Sequence, residues 1–527
     1  MKPDFDIAVI GSGFSGSLLA MIAKHLGYSV VLLERGKHPR FVIGESSTPL
    51  ANLLLEELAT RYKLPRFLPL TKWGTWQQHY PQIGCGLKRG FTFYHHVPGK
   101  LWVPDPNHTN ELLIAASPNE RIADTHWYRP DFDEFFVREA QAAGVEYLDE
   151  VKLETACQSD DGIDLIGHRL GQPLRLRAKY VFDASGPRGF LHQAFGLGEQ
   201  TLAFLPQTQA LYSHFTDVRR WDELFPMDSS APYPADDAAL HHVFEGGWIW
   251  VLRFKNGITS AGVAATKALS ERLQLREGES GWKRLLETLP SVREQFARAR
   301  VVQPCTFSSR LGFRSVQNAG TNWALLPSAA GFIDPLLSTG FPLALLGISR
   351  LAGILESNPS ASNIAKDLEL YSQRTASELE LVEQLVAALY RHFHDFEVFT
   401  ALTLLYFAAA SFTETVRRLG HPERAGDQFL LGEHPLFGQR CRKCLRLALG
   451  LLDESARKDL LQMVYEAIEP VDIAGLTHRE RRSYYPVLAE DLVANRTKAG
   501  ASLAEVEELL ARCGMGRERP SGTESKA

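Results

Sequence analysis

One short stretch limits the fold more than any other: Gly11-Ser12-Gly13-Phe14-Ser15-Gly16, between an apolar run at 5–10 and a helical pattern at 18–25. The run Phe5 to Ile10 reads as a buried parallel strand, and Leu18 to His25 as a helix opening after the third glycine. Val30-Val31-Leu32-Leu33 is a second strand, with Glu34 and Arg35 at its end. Gly11 permits the tight turn, Gly13 lets the backbone approach a pyrophosphate, and Gly16 allows close helix–strand packing. The helix N-terminus adds unpaired N–H groups and the positive end of a dipole. Glu34 stands where a carboxylate meets the adenosine ribose. Strand, turn, helix, strand and acid together specify a dinucleotide-binding α/β unit, for FAD or NAD.

The 527-residue chain is too long for that unit alone. Further strand-like segments recur far apart, so the nucleotide domain is expected to be discontinuous, over 1–200 and 306–350. A polar loop at 40–49 is expected to cap a helix from Leu50 to Thr60, with Ser46 or Ser47 as the N-cap. Arg129 opens a helix after Trp127-Tyr128, a strand runs near 145–151, and Leu165 to Ala178 reads as an alternating hairpin. A β-rich substrate domain is placed at 200–305, its clearest element being His242 to Ala265 with a turn at Lys255-Asn256-Gly257. Residues 351–513 read as helical, and 514–527 as a disordered tail.

A net charge of −5 argues against a nucleic-acid partner, which needs a basic face. The start leaves no room for a signal peptide. The greasy stretch Val398 to Phe412 is too short to span a bilayer, so no transmembrane segment is expected. Six scattered cysteines imply no disulfide framework, and a cytoplasmic location follows. Cys441-Arg442-Lys443-Cys444 has no second CxxC or CxxH, so it is read as two packed thiols on a helix, with no metal site.

Three segments, Gly11–Gly16, Asp183-Ala184-Ser185-Gly186 and Ala329–Gly340, resemble those of aromatic hydroxylases and FADH2-dependent halogenases. The resemblance covers most of 5–350 and favours FAD over NAD. It implies a glutathione-reductase-type FAD domain interleaved with a β-rich substrate domain, followed by helices. Where hydroxylases carry Gly-Asp-Ala, this chain has Pro327-Ser328, then Asp334-Pro335-Leu336-Leu337-Ser338-Thr339-Gly340-Phe341. That run resembles the halide-binding loop of the tryptophan-halogenase-like family. It implies that Ser338 and Phe341 lie at the flavin and that the amides of Thr339 and Gly340 hold chloride or bromide. Gly247-Trp248-Ile249-Trp250 resembles the family's Gly-Trp-x-Trp-x-Ile-Pro signature, but departs after it as Val251-Leu252-Arg253.

The resemblance also implies a catalytic lysine after the Gly-Glu-Ser loop. Lys72, in Leu70-Thr71-Lys72-Trp73-Gly74, is taken for it; Lys63 and Lys88 compete from less comparable contexts. Glu45 and Ser46 resemble the strap beside the flavin, Arg129 lies where the family meets the pyrophosphate, and Val151 where the backbone meets adenine. Phe93, Tyr94 and His95 are candidate walls of a substrate pocket, though they alternate like a plain strand.

The implied reaction is that of a two-component halogenase. FADH2 from a separate NAD(P)H-dependent flavin reductase meets molecular oxygen, and the C4a-hydroperoxide oxidises halide to hypohalous acid. Lys72 then passes the halogen to a small aromatic substrate, free or carrier-protein-bound. No glutamate is evident opposite the lysine, so a phenol or pyrrole is expected rather than tryptophan. The alternatives are an FAD-dependent aromatic monooxygenase and a non-catalytic flavin-binding partner protein.

Overall fold

A computed structural model describes residues 3–159, 161–357 and 364–515. Nearly all of the tail at 514–527 lies outside the described residues.

The sheet predicted from the fingerprint is present, with seven strands. β1 (Phe5–Ile10) pairs in parallel with β2 (Val30–Leu33) on one side and with Gln172–Asp183 on the other. Glu146–Leu148 and Trp323–Leu325 extend the parallel part, so the chain does return to this sheet late. The expected hairpin at 165–178 is present as Gly162–Arg169 against Gln172–Asp183, and Val151–Ser159 extends it to an antiparallel meander. Its last strand runs unbroken from the exposed meander into the core, which alternation over a short window does not reveal.

α1 spans Phe14–His25 and begins earlier than the glycine pattern suggested, with Gly13 as its N-cap. Gly16 therefore lies inside the first turn, where small size matters most. α2 (Pro49–Arg61) is capped by Thr48, whose hydroxyl accepts the Ala51 amide, and not by Ser46 or Ser47.

The chain then forms β3 (Cys85–Lys88), β4 (Gly90–His96), β5 (Glu111–Ala115) and β6 (Asp124–Trp127). β4 and β5 enter a nine-stranded sheet with Ala239–Phe244, Gly247–Arg253, Thr259–Thr266 and Thr208–Thr216. This sheet thus draws strands from within 1–200, and Tyr484–Tyr485 from the helical region, besides the stretch 200–305. The turn at 255–257 joins two of its strands as expected, while Ala239–Phe244 is a separate strand before them. β3 and β6 form their own two-stranded ribbon, in which Lys88 is directly opposite Asp124.

Beyond residue 340 the described chain is mainly helical. Gly340–Ser357 and Phe396–Arg418 are long and apolar enough to cross a membrane, the second longer than the greasy stretch alone implied. They are 56% and 72% buried within the protein. Cys441 and Cys444 are buried, unbridged and on one helix, Gly438–Ala448.

Candidate active site

The nucleotide cradle is built as its glycines require. Gly11 has φ +95°, a conformation L side chains rarely adopt. A Cβ on Gly16 would lie 1.9 Å from the Gly11 carbonyl oxygen, and one on Gly11 2.6 Å from that of Ala184. The first two flavin-type segments therefore touch through backbone alone. Positions Gly186 and Gly340 face open space.

The side chains around this turn are charged and held. Glu34 accepts the Ser12 amide (3.1 Å) and hydroxyl (2.9 Å) on one oxygen and the Gly36 amide (2.8 Å) on the other. Burial alone would raise its carboxyl; Arg40 and these donors overturn that and hold it below the usual range. Val151 donates its amide to the Glu34 carbonyl, which brings the two expected adenosine contacts together. Arg35 is exposed. Arg129 forks onto Asp133 with two bonds of 2.8 Å, reaches the Gly44 carbonyl at 2.9 Å and lies near Gly13. Asp133 also accepts the Phe14 amide, tying Arg129 to the start of α1. Arg40, Asp133 and His38, which bonds to Ser12 Oγ at 2.8 Å, were not singled out from sequence. Asp183 differs from expectation: its carboxylate is turned inward onto Ser185 and the Leu191 amide, so it braces its own loop.

The third segment brings a second helix end to the same place. Ser338 (φ +53°) and Thr339 lead into the helix Gly340–Ser357, whose first-turn amides lack intrahelical partners. Phe341 stacks on Trp127 at 4.4 Å and meets Phe14 edge-on at 5.2 Å, so both helix starts converge. Asp334 accepts the Leu336 amide (3.0 Å), Trp248 Nε1 (3.2 Å) and Tyr390 Oη (2.8 Å). The Trp-x-Trp strand thus braces the loop ahead of Thr339, despite its departure from the family's ending. These features fit FAD: a glycine turn at one helix start, an arginine beside it, and open space at Gly186 and Gly340.

The two lysines differ sharply. Lys72 caps the short helix Trp73–His79, its side chain is 31% exposed, and it pairs with Glu56 at 3.5 Å. It lines the cavity described below. Lys88 is 0% exposed and lies 3.7 Å from the centre of the Phe91 ring. Its ammonium donates to Ser46 Oγ (2.8 Å) and the Ser47 carbonyl (2.5 Å), directly on the Glu45–Ser46 strap. Glu45 itself bonds His214 at 2.9 Å. Burial pushes Lys88 down to about 7, against the opposing charge of Asp124. The properties sought in Lys72, a desolvated and readily neutral amine beside the strap, belong to Lys88. The missed signal was a lysine in a strand whose other inward positions are apolar.

Beside Lys88 lies a cavity of about 780 Å³, walled by Phe91, Ile114, Asp124, Tyr406, Phe407 and Glu414 among others. Burial and the charge of Glu414 raise Asp124 to about 7. The expected pocket walls are elsewhere. Phe93 is sealed by His241 and Phe399, and His95 bonds the Phe393 carbonyl and stacks on Phe396. Tyr94 points to the other face of the sheet, onto Trp102 and Trp221. Of that aromatic run, only Phe91 reaches the cavity. Two acids, unseen from sequence because they come from segments 290 residues apart, do face it.

Comparison with known proteins places these features in context. The sequence model described as tryptophan halogenase matches residues 125–396, just over half the chain. Monodechloroaminopyrrolnitrin halogenase PrnC of Pseudomonas fluorescens is 29% identical over 409 residues, 76% of this chain and 70% of that protein. Tetracycline 7-halogenase of Kitasatospora aureofaciens is 30% identical over 348 residues, 64% of this chain and 60% of that protein. In fold, the chain is similar to halogenase PltM, crystallised with phloroglucinol and FAD. The TM-score is 0.78 at 24% identity, covering 91% of this chain and 99% of that one.

Proposed function

The chain belongs to the tryptophan halogenase family and is a flavin-dependent halogenase, and from that premise we propose that it delivers oxidised halogen through Lys88 to an electron-rich aromatic ring. The observation that carries this reading is the buried amine of Lys88, held by Ser46 and Ser47 against the ring of Phe91, which walls the cavity that Asp124 lines.

Gly11, Gly13, Gly16, the start of α1 and Arg129 would hold the FAD diphosphate, and Glu34 with Val151 the adenosine end. Ser338 and Phe341 would border the ring. Reduced FAD, when bound, supplies with molecular oxygen the two-electron oxidation of chloride or bromide to hypohalous acid. The amides of Thr339 and Gly340 hold the halide, as a helix start holds an anion without a side-chain cation. Phe91 and the Ser46–Ser47 strap exclude water from Lys88, which keeps the oxidant from solvent.

The neutral amine attacks the halogen of the acid: an N–X bond forms, the O–X bond breaks, and water leaves with the amine proton. The ring carbon then takes the halogen from nitrogen, and the ring proton returns to Lys88. Nitrogen suits this step because its pair is free once burial has lowered the proton affinity. A separate NAD(P)H-dependent reductase supplies the reduced flavin, in line with the single Gly-x-Gly-x-x-Gly of the chain. Phenols and pyrroles are the proposed acceptors.

The test is a reductase-coupled reaction with bromide over phenols, pyrroles and indoles. Lys88→Ala should cut brominated product at least about 100-fold, with FAD affinity and flavin reoxidation retained. Lys88→Arg should not rescue, because a guanidinium stays protonated. Bromination by the alanine variant near the wild-type rate would remove Lys88 from the reaction.

A further inference from the structure

The cavity beside Lys88 contains a buried acid that the halogen transfer leaves unused. Asp124 starts β6 and is the cross-strand neighbour of Lys88, so both side chains leave the same face of the ribbon. From there they diverge. Lys88 turns to the strap, while Asp124, 5% exposed, borders the cavity. One carboxylate oxygen, Oδ1, accepts the Asn52 amide at 2.8 Å. The other, Oδ2, is buried and takes no hydrogen bond among the described residues. A buried acceptor without a donor is costly, and native proteins retain few of them.

The surroundings say what would satisfy it. Phe91, Tyr406 and Phe407 give the cavity flat apolar walls suited to an aromatic ring. Glu414, on the facing helix Phe396–Arg418, borders the same space and is held by Arg418 at 2.7 Å. Glu414 is thus neutralised, and Arg61, Lys72, Arg417 and Arg512 also line the cavity, so it is the unpartnered Oδ2 and not the net charge that favours a hydrogen-bond donor.

We propose that Asp124 is a substrate-binding residue whose Oδ2 accepts a hydrogen bond from a hydroxyl or amino group on the aromatic ring, selecting phenols and anilines over rings without a donor. The inference rests on the Lys88 reading for its consequence, because the anchored group then fixes which ring carbon faces the amine. A carboxylate accepting from O–H or N–H also drives electron density to the ortho and para carbons, where an electrophilic halogen adds. Asp124 need undergo no covalent change.

The experiment pairs resorcinol with its dimethyl ether, equal in ring pattern but lacking the donors. Binding to the FAD-loaded protein is measured by titration, and bromination in the reductase-coupled reaction. Wild type should bind resorcinol at least about tenfold more tightly than the ether, roughly what one buried hydrogen bond supplies. Asp124→Ala should bring the two affinities within about twofold and lower the ratio of kcat/KM for resorcinol over the ether about tenfold, with the affinity for the ether little changed. Asp124→Asn, which keeps the shape, should give the same loss of preference and serves if the alanine variant folds poorly. Equal binding of the two probes by wild type, absence of binding by either, or a preference that survives both substitutions overturns the proposal. Binding does not depend on halogen transfer, so a failure of the Lys88 reading shows as lost relay chemistry with this preference intact.

Discussion

The glycine-turn region proposed to cradle the flavin and the proposed halogen-transfer chamber around Lys88 are built by opposite means. The cradle is made of contiguous pieces whose backbone does the work: the turn at 11–16, the loop at 183–186 and the helix start at 338–341. In the chamber, buried side chains from segments distant in sequence do the work. Lys88, Asp124 and Glu414 meet only because β3, β6 and the helix Phe396–Arg418 pack together. At Gly11 and Gly16 the backbone leaves no room for an added atom, whereas side-chain sites tolerate substitution in shape but not in charge.

The largest expected effect follows from the first half of that contrast. Gly13→Val places a branched side chain beside Arg129, in the path a diphosphate would take. Flavin titration should show affinity lowered at least about 100-fold, the equivalent of ~3 kcal/mol of overpacking, with the fold retained. Wild-type affinity in this variant would mean that the cofactor does not run along the turn.

The same contrast explains what was legible in the sequence. The turn at Gly11, Gly13 and Gly16, the place of Glu34 and the loop before Gly340 are readable because each local geometry needs a fixed spacing. Spacing alone favours Lys72, whereas the burial of Lys88 and its cross-strand neighbour Asp124 are set by pairing of β3 with β6 and are not legible in a local window. Asp183 shows the same limit: its position is fixed by the strand, but its side-chain direction is decided by Ser185 and Leu191. Phe93, Tyr94 and His95 alternate as strands do, and alternation cannot say which face of a two-faced sheet meets a cavity.

A second effect, of intermediate size, tests the charge in the chamber. If transfer needs the neutral amine of Lys88, halogenation should rise with pH and level off above about 7, the value to which burial lowers it. A group with that pKa gains roughly tenfold in its neutral form between pH 6 and pH 8. The charge of Asp124 favours the ammonium, so Asp124→Asn should shift the rise to lower pH. A flat profile in wild type, with flavin reoxidation shown to be faster than transfer, would assign the step to a group that does not titrate there.

A smaller effect is expected where the two regions join. Trp248 and Tyr390 both donate to Asp334, which in turn holds the Leu336 amide ahead of Thr339 and Gly340, the proposed halide site. Tyr390→Phe removes one donor to a buried carboxyl and should cost about 1.5–3 kcal/mol in stability. It should also weaken bromide more than flavin, read as a rise in the bromide KM at unchanged FAD affinity. Equal weakening of both would mean that Asp334 supports the whole cofactor face rather than the loop.

The smallest effect belongs to Lys72. Its ion pair with Glu56 spans 3.5 Å, with the two side chains 31% and 33% exposed. Water screens such a pair and the long side chains lose freedom in making it, so its net worth is about 0–1 kcal/mol. Lys72→Ala should therefore move the unfolding temperature by no more than about 2–4 °C and leave bromination within about twofold of wild type. The measurement discriminates because both lysines follow the strap in sequence, and Lys72 lines the cavity while Lys88 lies against its wall at Phe91. If the amine acts through its place along the chain, losing Lys72 should stop the reaction. If it acts through desolvation, only losing Lys88 should. A Lys72→Ala enzyme that turns over flavin but yields no halogenated product would reverse the assignment, and with it the view that burial rather than spacing makes this lysine reactive.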